Sequence, residues 1–250
     1  VIEAENERIY DYHYRLQGAV EKTLNSASRV NVISRSYSPA QADLSINGGT
    51  FDQAAVVVDG IKLNDPQTGH YSMDLGLPSI AVKEASVVSG GSSYPGSGGF
   101  TGALLLSTKD AWADKIEAEG AYGTFNTQRY GLLFSRRIGD FGVLAASEKK
   151  KSDGYHYDTE YDINNAYAKV SFLGKYLLSA GYGENTYGAY DYYTPGLKYP
   201  SQEYTITRFL NFAGEFSDIV KVSLYARDHY DKYILDETRP WYYTNKHKTL

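Results

Sequence analysis

The sequence contains no cysteine and no long apolar run. The absence of cysteine excludes disulfide scaffolds, zinc–thiolate sites and thiol nucleophiles. A membrane-spanning helix needs about 20 consecutive apolar residues, and no stretch of this chain approaches that length. With a mean hydropathy of −0.45 as well, the chain does not belong to the helical membrane proteins.

The sequence also lacks the signatures of enzymes and of nucleic-acid-binding proteins. The net charge is −5 and basic residues are scattered apart from residues 149–151, so we expect no nucleic-acid partner. The glycine-rich residues 90–102 lack the terminal Gly-Lys-Ser/Thr of a phosphate-binding loop, which favours tight turns. The five histidines show no HExxH or other ligand spacing, and we predict no enzymatic activity.

What the chain does contain is a series of segments in which apolar and polar side chains alternate. Clear examples are residues 115–124, 165–172, 176–183 and 220–227, with further candidate strands at 128–138, 141–149, 205–216 and after 241. In one of them Val220, Val222 and Leu224 share a face opposite Lys221 and Arg227. A tilted strand crosses a bilayer in about 9 to 11 residues, with one face in lipid and the other in water. We therefore predict roughly eight strands of a membrane barrel.

An antiparallel β-sandwich gives the same period of two without a membrane. Composition favours the barrel, because the chain has 25 tyrosines and aromatic side chains are enriched at the headgroup boundaries. Tyrosine also serves in binding sites, where it offers broad contact at low entropic cost. Both roles are open to the tyrosines at predicted strand ends and loops.

Residues 1–110 differ from the rest of the chain, since they hold most of the turn-rich glycine and few aromatic residues. Short apolar runs that predict buried strands occur at residues 54–59, 85–88 and 103–107. Asp59-Gly60 is a hairpin-type turn signal, and the apolar spacing in residues 16–27 predicts one short helix. We predict a small mixed α+β domain over residues 1–110, followed without a linker by antiparallel transmembrane β-barrel strands over 111–250.

Two separated stretches carry a resemblance to a known family. Residues 55–63, AVVVDGIKL, are similar to the VLVDGV-L strand and turn of the plug domain of TonB-dependent outer-membrane transporters. Residues 82–109 resemble the IEVVRGP-S-LYGSGAIGGVINIITK ending of the same domain, and the order and spacing also match. A shorter stretch, residues 181–196, resembles a strand and loop of the cobalamin receptor within that family.

The resemblance implies a transporter in the bacterial outer membrane that imports a scarce metal chelate, with cobalamin or another corrinoid as first candidate and a ferric siderophore as second. Import would be driven by TonB and its inner-membrane energising complex. The first four residues, Val1, Ile2, Glu3 and Ala4, resemble the tail of the segment that contacts TonB. Plugged transporters have about 22 strands, so roughly eight strands form only a partial barrel and we expect further sequence.

In family plugs two loops reach toward the ligand, and the tyrosine-rich barrel loop adds a third candidate surface. The predicted ligand contacts are Ser36, Tyr37, Ser38 and Gln41 in the first loop, Asn64, Asp65, Gln67, Thr68, His70 and Tyr71 in the second, and Tyr187, Tyr190, Tyr192 and Tyr193 in the barrel. The alternative is that these loops are plain connectors.

The acidic pattern after residue 157 suggests a cation site. Asp158, Glu160 and Asp162 alternate, Asp191 lies in the later loop, and clustered oxygen ligands suit calcium. The cobalamin receptor holds calcium with acidic residues of its extracellular loops, so the resemblance implies a calcium site here. Ordinary solvated loop charge is the alternative.

Departures from the family pattern leave two rival functions open. Family plugs carry an arginine in each of two segments where this chain has Asn47 and Ser89, and those arginines pair with barrel glutamates. Ser86 also replaces the usual acidic residue of the second segment. The rivals are an outer-membrane binding module whose plug is not pulled, and a soluble β-sandwich adhesin or carbohydrate-binding protein.

Overall fold

The computed structural model describes residues 6–9, 24, 28–34, 41–90 and 99–250. Of the predicted helix at residues 16–27, only Leu24 falls among the described residues before Ser28, and its side chain is buried. Among the described residues, no helix is long and apolar enough to cross a membrane.

The first part of the chain, here called the N-terminal domain, forms two small sheets. Its strands are β1 (Asn6–Ile9), β2 (Val30–Ser34), β3 (Ala42–Ile46), β4 (Ala54–Val58), β5 (Ile61–Lys62), β6 (Val82–Ser89) and β7 (Gly102–Thr108). Five of them form a sheet of order β1-β6-β7-β4-β5, and β2 pairs with β3. Single 3₁₀ turns lie at Phe51–Gln53, Gly69–Tyr71 and Ser79–Ala81.

The apolar runs of this domain form buried strands, as the sequence predicts. All five residues of β4 are buried, and β4 lies parallel to β7, a pairing whose faces are normally both covered. Asp59 and Gly60 have φ values of +46° and +86°, which is the primed turn geometry of a tight hairpin. That turn joins β4 to β5.

The second part of the chain is an eight-stranded antiparallel sheet, here called the wall. Its strands, paired in chain order, are β8 (Lys115–Gly123), β9 (Thr127–Ile138), β10 (Phe141–Ser152), β11 (Tyr161–Phe172), β12 (Tyr176–Gly188), β13 (Gln202–Glu215), β14 (Lys221–Ile234) and β15 (Thr244–Thr249). The sequence predicts roughly eight strands, and this sheet has eight. Several strands extend beyond the predicted bounds, because their polar residues at one end continue the hydrogen-bonded ladder.

The two faces of the wall differ as the alternation requires. Leu224, Leu178 and Ile116 are 63%, 48% and 74% exposed on the outer face. On the inner face Ser179 and Asn211 are buried. The inner face packs on the N-terminal domain, since Leu133, Leu144 and Phe209 of the wall share one core cluster with Leu104 and Ile80. No second sheet of the described residues covers the outer apolar face, which excludes the sandwich arrangement for them.

The strand connections divide into two kinds. At one end of the wall, residues 139–140, 173–175 and 216–220 form short turns. At the other end residues 153–160, 189–201 and 235–243 form longer loops, beside one short turn at residues 124–126. Aromatic rings gather near the short-turn end, where Phe141 and Phe172 stack at 4.7 Å and Tyr176 meets Phe216 at 5.4 Å. Short turns at one end, longer loops at the other and aromatic bands are features of outer-membrane barrels.

Candidate ligand-binding site

A cavity of about 550 Å³ lies at the long-loop end, between the N-terminal domain and the wall. The N-terminal domain contributes Gln67, Thr68, His70 and Tyr71, and the wall contributes Tyr193, Thr194, Glu203, Asp231, Tyr233, Leu235, Tyr243, Asn245 and His247. Cavities of this size, with mixed aromatic and polar lining, suit a small-molecule ligand.

A short hydrogen bond forms the floor of the cavity. The hydroxyl of Tyr71, at the end of the 3₁₀ turn Gly69–Tyr71, donates to the Glu203 carboxylate on β13 at 2.5 Å. Burial, followed by the nearby Glu203 charge, raises the pKa of Tyr71, so the phenol stays protonated and keeps donating. The Tyr71 ring also packs on His229 of β14, with centroids 4.6 Å apart.

Two histidines face the cavity from opposite sides, and each contacts a carboxylate. His70 Nδ1 lies 2.7 Å from Asp43 Oδ1 in the N-terminal domain. His247 Nδ1 lies 2.9 Å from Asp231 Oδ2 in the wall. Each imidazole ring is thereby held in orientation by its carboxylate partner.

Tyrosines form one side of the cavity. Tyr193 contacts Tyr233 edge-on with centroids 4.8 Å apart, and Tyr233 contacts Tyr243 at 6.4 Å. Behind them Tyr192 packs on both Tyr193 and the fully buried Tyr187. Edge-to-face aromatic contacts of this kind fix ring positions, so the cavity presents a preformed aromatic surface.

The structure brings five of the predicted contact residues together. Gln67, Thr68, His70, Tyr71 and Tyr193 all line the cavity. Their direct contact with a ligand stays a prediction.

The other predicted contacts lie elsewhere or support the lining. Gln41 is buried and donates from Nε2 to the Tyr193 hydroxyl at 3.2 Å. Asn64 bonds the backbone of Val56 and Ala54 within its own domain. Tyr187 and Tyr192 are buried behind the lining, and Tyr190 packs on His156 and Tyr157 in the loops. Ser36, Tyr37, Ser38 and residues 1–4 fall outside the described residues.

The sequence analysis did not identify the two acidic residues of the wall that line the cavity, Glu203 and Asp231. Glu203 and Asp231 lie at inward-facing positions of β13 and β14, in the same alternation as the buried Thr205 and His229. The alternation alone would have placed both carboxylates on the inner face. Glu203 lies 132 residues from Tyr71 in the sequence. No local sequence pattern predicts that these two side chains meet.

Asp65 connects the loop that lines the cavity to the wall. One carboxylate oxygen accepts from the backbone N–H groups of Gln67 and Thr68, at 2.8 and 3.0 Å. The other accepts from Arg227 at 2.6 Å and from Thr249 at 3.0 Å. Burial opposes ionisation, but the Thr68 N–H, Arg227 and the Gln67 N–H outweigh it and lower the pKa of Asp65. The carboxylate is therefore ionised and shared between both parts of the molecule.

Further polar contacts join the N-terminal domain to other strands of the wall. Asp59 accepts from Thr108 and from the Tyr167 hydroxyl at 3.0 Å, with Lys169 Nζ 3.9 Å away. Asp74 accepts from Asn185 at 2.9 Å and from Thr205 at 2.7 Å. Ser79 donates to Glu148 at 2.7 Å and accepts from Lys150 at 3.1 Å.

In two ion pairs between the N-terminal domain and the wall, the charges are placed the opposite way round from the arginine–glutamate pairs that the sequence resemblance implies. In the contacts of Asp59 and Asp65 the N-terminal domain supplies the carboxylate and the wall supplies the cation, Lys169 and Arg227. Asn47 and Ser89, which stand where the family has arginines, make contacts within their own domain. Asn47 donates to the Thr101 carbonyl at 2.9 Å, and Ser89 pairs with Gly102.

The predicted calcium ligands have separate partners. Asp158 accepts from the Ser201 N–H at 2.7 Å, Asp162 pairs with Lys149 at 3.0 Å, and Asp191 accepts from the Gly196 N–H at 2.6 Å. Among the described residues, no group of three or more acidic or histidine side chains is arranged to hold a metal ion. Burial, with the charges of Glu160 and Glu237, raises the pKa of Asp158 to about 6. Calcium at Asp158, Glu160, Asp162 and Asp191 stays a prediction.

Comparison with known proteins gives structural matches only. No family model and no curated protein sequence matches the chain. The copper transporter OprC matches with a TM-score of 0.67 and 16% identity, over 94% of this chain and 38% of that one. The pyoverdine outer membrane receptor FpvA from Pseudomonas aeruginosa PAO1 gives 0.63 and 14%, over 92% and 37%. The FrpB iron transporter from Neisseria meningitidis gives 0.63 and 16%, over 92% and 40%.

These similarities concern the fold. The chain spans about two fifths of the length of the three structures. Over that span it has their architecture, which is a mixed N-terminal domain followed by the antiparallel strands of a partial barrel. The predicted fold class is thereby confirmed.

Proposed function

We propose that this chain is the plug domain and first barrel strands of a TonB-dependent transporter in the outer membrane of a Gram-negative bacterium, and that the protein imports a metal chelate. The observation that carries the proposal is the cavity at the long-loop end, which the plug and the wall line together. A ligand bound there contacts both the part that stays in the membrane and the part that must move. The plug-like sequence stretches at residues 55–63 and 82–109 support the same assignment.

The transport step uses binding and displacement without covalent chemistry. A ligand held against Tyr71 and Tyr193 lies against the contact between Tyr71 and Glu203, which joins the plug to the wall. The proposed TonB segment, residues 1–4, comes just before β1, and β1 is an edge strand that pairs with β6. Pulling on that segment would unzip an edge strand, which requires less energy than extracting a central one. The energy comes from the inner membrane.

For the ligand we propose a corrinoid such as cobalamin first and a ferric siderophore second. The stretch that resembles the cobalamin receptor, residues 181–196, supplies Tyr193 and Thr194 to the cavity and the buried Tyr187 and Tyr192 behind it. The printed names of the similar structures concern pyoverdine, copper and iron, which supports a metal-containing cargo. A ligand-binding module that TonB does not pull is the second candidate, because Asn47 and Ser89 replace the family's arginines.

Uptake of radiolabelled cyanocobalamin and of ferric siderophores, in cells with and without TonB, tests the proposal. We expect uptake of one chelate class that disappears without TonB. Truncating a central aromatic contact to alanine typically costs about 2 kcal/mol or more, so Tyr193→Ala should weaken binding about tenfold or more. The matched control is Tyr122→Ala, which removes an exposed tyrosine from β8 and should leave binding unchanged.

Each outcome bears on one part of the proposal. Binding without TonB-dependent uptake would favour the second candidate function. Failure of every corrinoid, with uptake of a ferric chelate, would remove the ligand assignment and leave the transporter assignment in place. Extraction of the protein without detergent would contradict both.

A further inference from the structure

The described lining of the cavity contains acidic side chains and no lysine or arginine. The acidic side chains are those of Glu203 and Asp231. The imidazoles in that lining belong to His70 and His247, and each lies against a carboxylate. The described lining therefore offers a ligand two carboxyl groups that accept hydrogen bonds, with no lysine or arginine beside them.

Strand alternation explains why no lysine or arginine of β14 and β15 joins the described lining. Asp231, Asn245 and His247 occupy inward-facing positions of β14 and β15, whereas Lys232 and Lys246, which are paired across the two strands, occupy the alternate positions. Further along β14, the buried guanidinium of Arg227 is held by Asp65 at 2.6 Å. A change of one residue in register would reverse this arrangement, so the charge of the cavity is built into the pairing of the strands.

Both carboxylates retain capacity to accept hydrogen bonds. Glu203 accepts from Tyr71 at 2.5 Å and from Tyr193 at 3.4 Å, and Asp231 contacts His247 through one oxygen. The two oxygens of a carboxyl group offer about four acceptor sites when the group is ionised and fewer when it is protonated, so each side chain has sites left for a ligand. The groups that would fill them are primary amides, amines or other N–H donors.

We infer that the ligand presents an uncharged or cationic, hydrogen-bond-donating face to Glu203 and Asp231, and that these two carboxylates exclude polyanionic chelates. The inference rests on the proposed function and narrows its ligand class. An anionic chelate seated on the Tyr71 floor would meet two carboxylates in a partly desolvated site, where like charges repel strongly. A ligand carrying amide or ammonium groups would instead complete their hydrogen bonds. Glu203 and Asp231 are thus specificity-determining residues.

Matched chelates test the inference by binding. The first pair is cyanocobalamin and its monocarboxylate derivative, in which one side-chain amide becomes a carboxylate at nearly constant shape. The second pair is a cationic ferric trihydroxamate with a free ammonium group and a polyanionic ferric tris-catecholate. Within the class that binds, we expect the uncharged or cationic member to bind about tenfold or more tightly. Glu203→Gln and Asp231→Asn should each shrink that preference.

A measurement without any chelate separates this inference from the proposed function. An uncharged fluorophore attached at Thr68→Cys would report on the cavity, since the chain has no cysteine of its own. With each quencher referred to the same fluorophore free in solution, caesium should be more effective than iodide by roughly threefold, because a negative cleft concentrates cations. The ratio should fall toward one in Glu203→Gln and Asp231→Asn. The control Asp218→Asn, in the short turn at the opposite end, should leave it unchanged.

The outcomes separate the two claims. Stronger quenching by iodide, or equal binding of the anionic members, would overturn the inference. A caesium preference without uptake of any chelate would support the charge of the cavity and contradict the proposed transport. A preference unchanged in both carboxylate variants would show that other groups select the ligand, and would overturn the role given to Glu203 and Asp231.

Discussion

Replacing Arg227 with alanine should release the loop that lines the cavity from the wall. The Arg227 and Asp65 side chains are only 6% and 1% exposed and lie 2.6 Å apart. Removing one partner of a buried ion pair leaves an uncompensated charge and costs about 3–5 kcal/mol. Because Asp65 also holds the N–H groups of Gln67 and Thr68, we expect hydrogen exchange in residues 64–72 to rise by about two orders of magnitude or more.

A surface pair in the same chain is the control for this prediction. Lys221 and Glu215 also form an ion pair, but their side chains are 67% and 52% exposed, and such pairs contribute at most about 1 kcal/mol. Lys221→Ala should therefore leave exchange in residues 64–72 as it is in the unmodified protein. Adding Asp65→Asn to Arg227→Ala should restore part of the protection from hydrogen exchange, because the double variant no longer buries an unpaired carboxylate. Equal exchange in Arg227→Ala and Lys221→Ala would mean that the pair does not hold the loop.

Substitution of Gly76 should have an effect of similar size on the segment of the N-terminal domain that faces β12. Gly76 has φ of +58°, and a Cβ there would lie 2.8 Å from the backbone nitrogen of Gly183. A side chain at this position meets two penalties, because the left-handed conformation costs about 1–2 kcal/mol and two backbones must also move apart. Gly76→Ala should separate the segment from the wall, which strains the contacts of Asp74 and Ser79.

Gly139 provides a matched control, because it has the same left-handed backbone conformation as Gly76 but no neighbouring backbone close to where a Cβ would lie. Its φ is +59°, and a Cβ added there, in the turn between β9 and β10, would have no atom within 4 Å. Gly139→Ala should show the conformational cost alone. Hydrogen exchange in residues 72–79 and ligand affinity should change in Gly76→Ala and not in Gly139→Ala. An equal loss of unfolding free energy in the two variants, with hydrogen exchange in residues 72–79 at its original rate, would show that the Gly76–Gly183 contact does not hold this segment.

The alternation of side chains was sufficient to predict the wall. Because a period of two is local, segments such as residues 165–172 disclose which side chains share a face, and Lys169 is indeed buried while Val170 is exposed. The ends of the strands were less predictable. Residues 150–152 and 184–188 are polar or turn-prone in sequence, yet they continue β10 and β12 because neighbouring strands satisfy their backbone groups.

The candidate site could be predicted only in part. Its residues from the N-terminal domain lie next to recognisable sequence motifs, whereas its residues from the wall do not. The contact residues of the N-terminal domain were predicted from a resemblance to loops that precede or follow recognisable strands. Four of those predicted residues line the cavity. The wall side depends on which inward positions meet those loops across more than a hundred residues of sequence. The missing arginines at Asn47 and Ser89 were visible, but the compensating pair of Asp65 with Arg227 depends on tertiary packing that no local pattern encodes.

The alternating faces of residues 115–249 separate lipid on the outer side from an interior that the N-terminal domain fills. Quenching by lipids brominated on their acyl chains tests this most directly, with a fluorophore placed by single cysteine substitution in the protein reconstituted in bilayers. Labels at Leu178 and Leu224 should be strongly quenched, whereas labels at Ser179 and Asn211, on the inner face, should not. Equal quenching at both sets of positions, or quenching only at Ser179 and Asn211, would contradict the account.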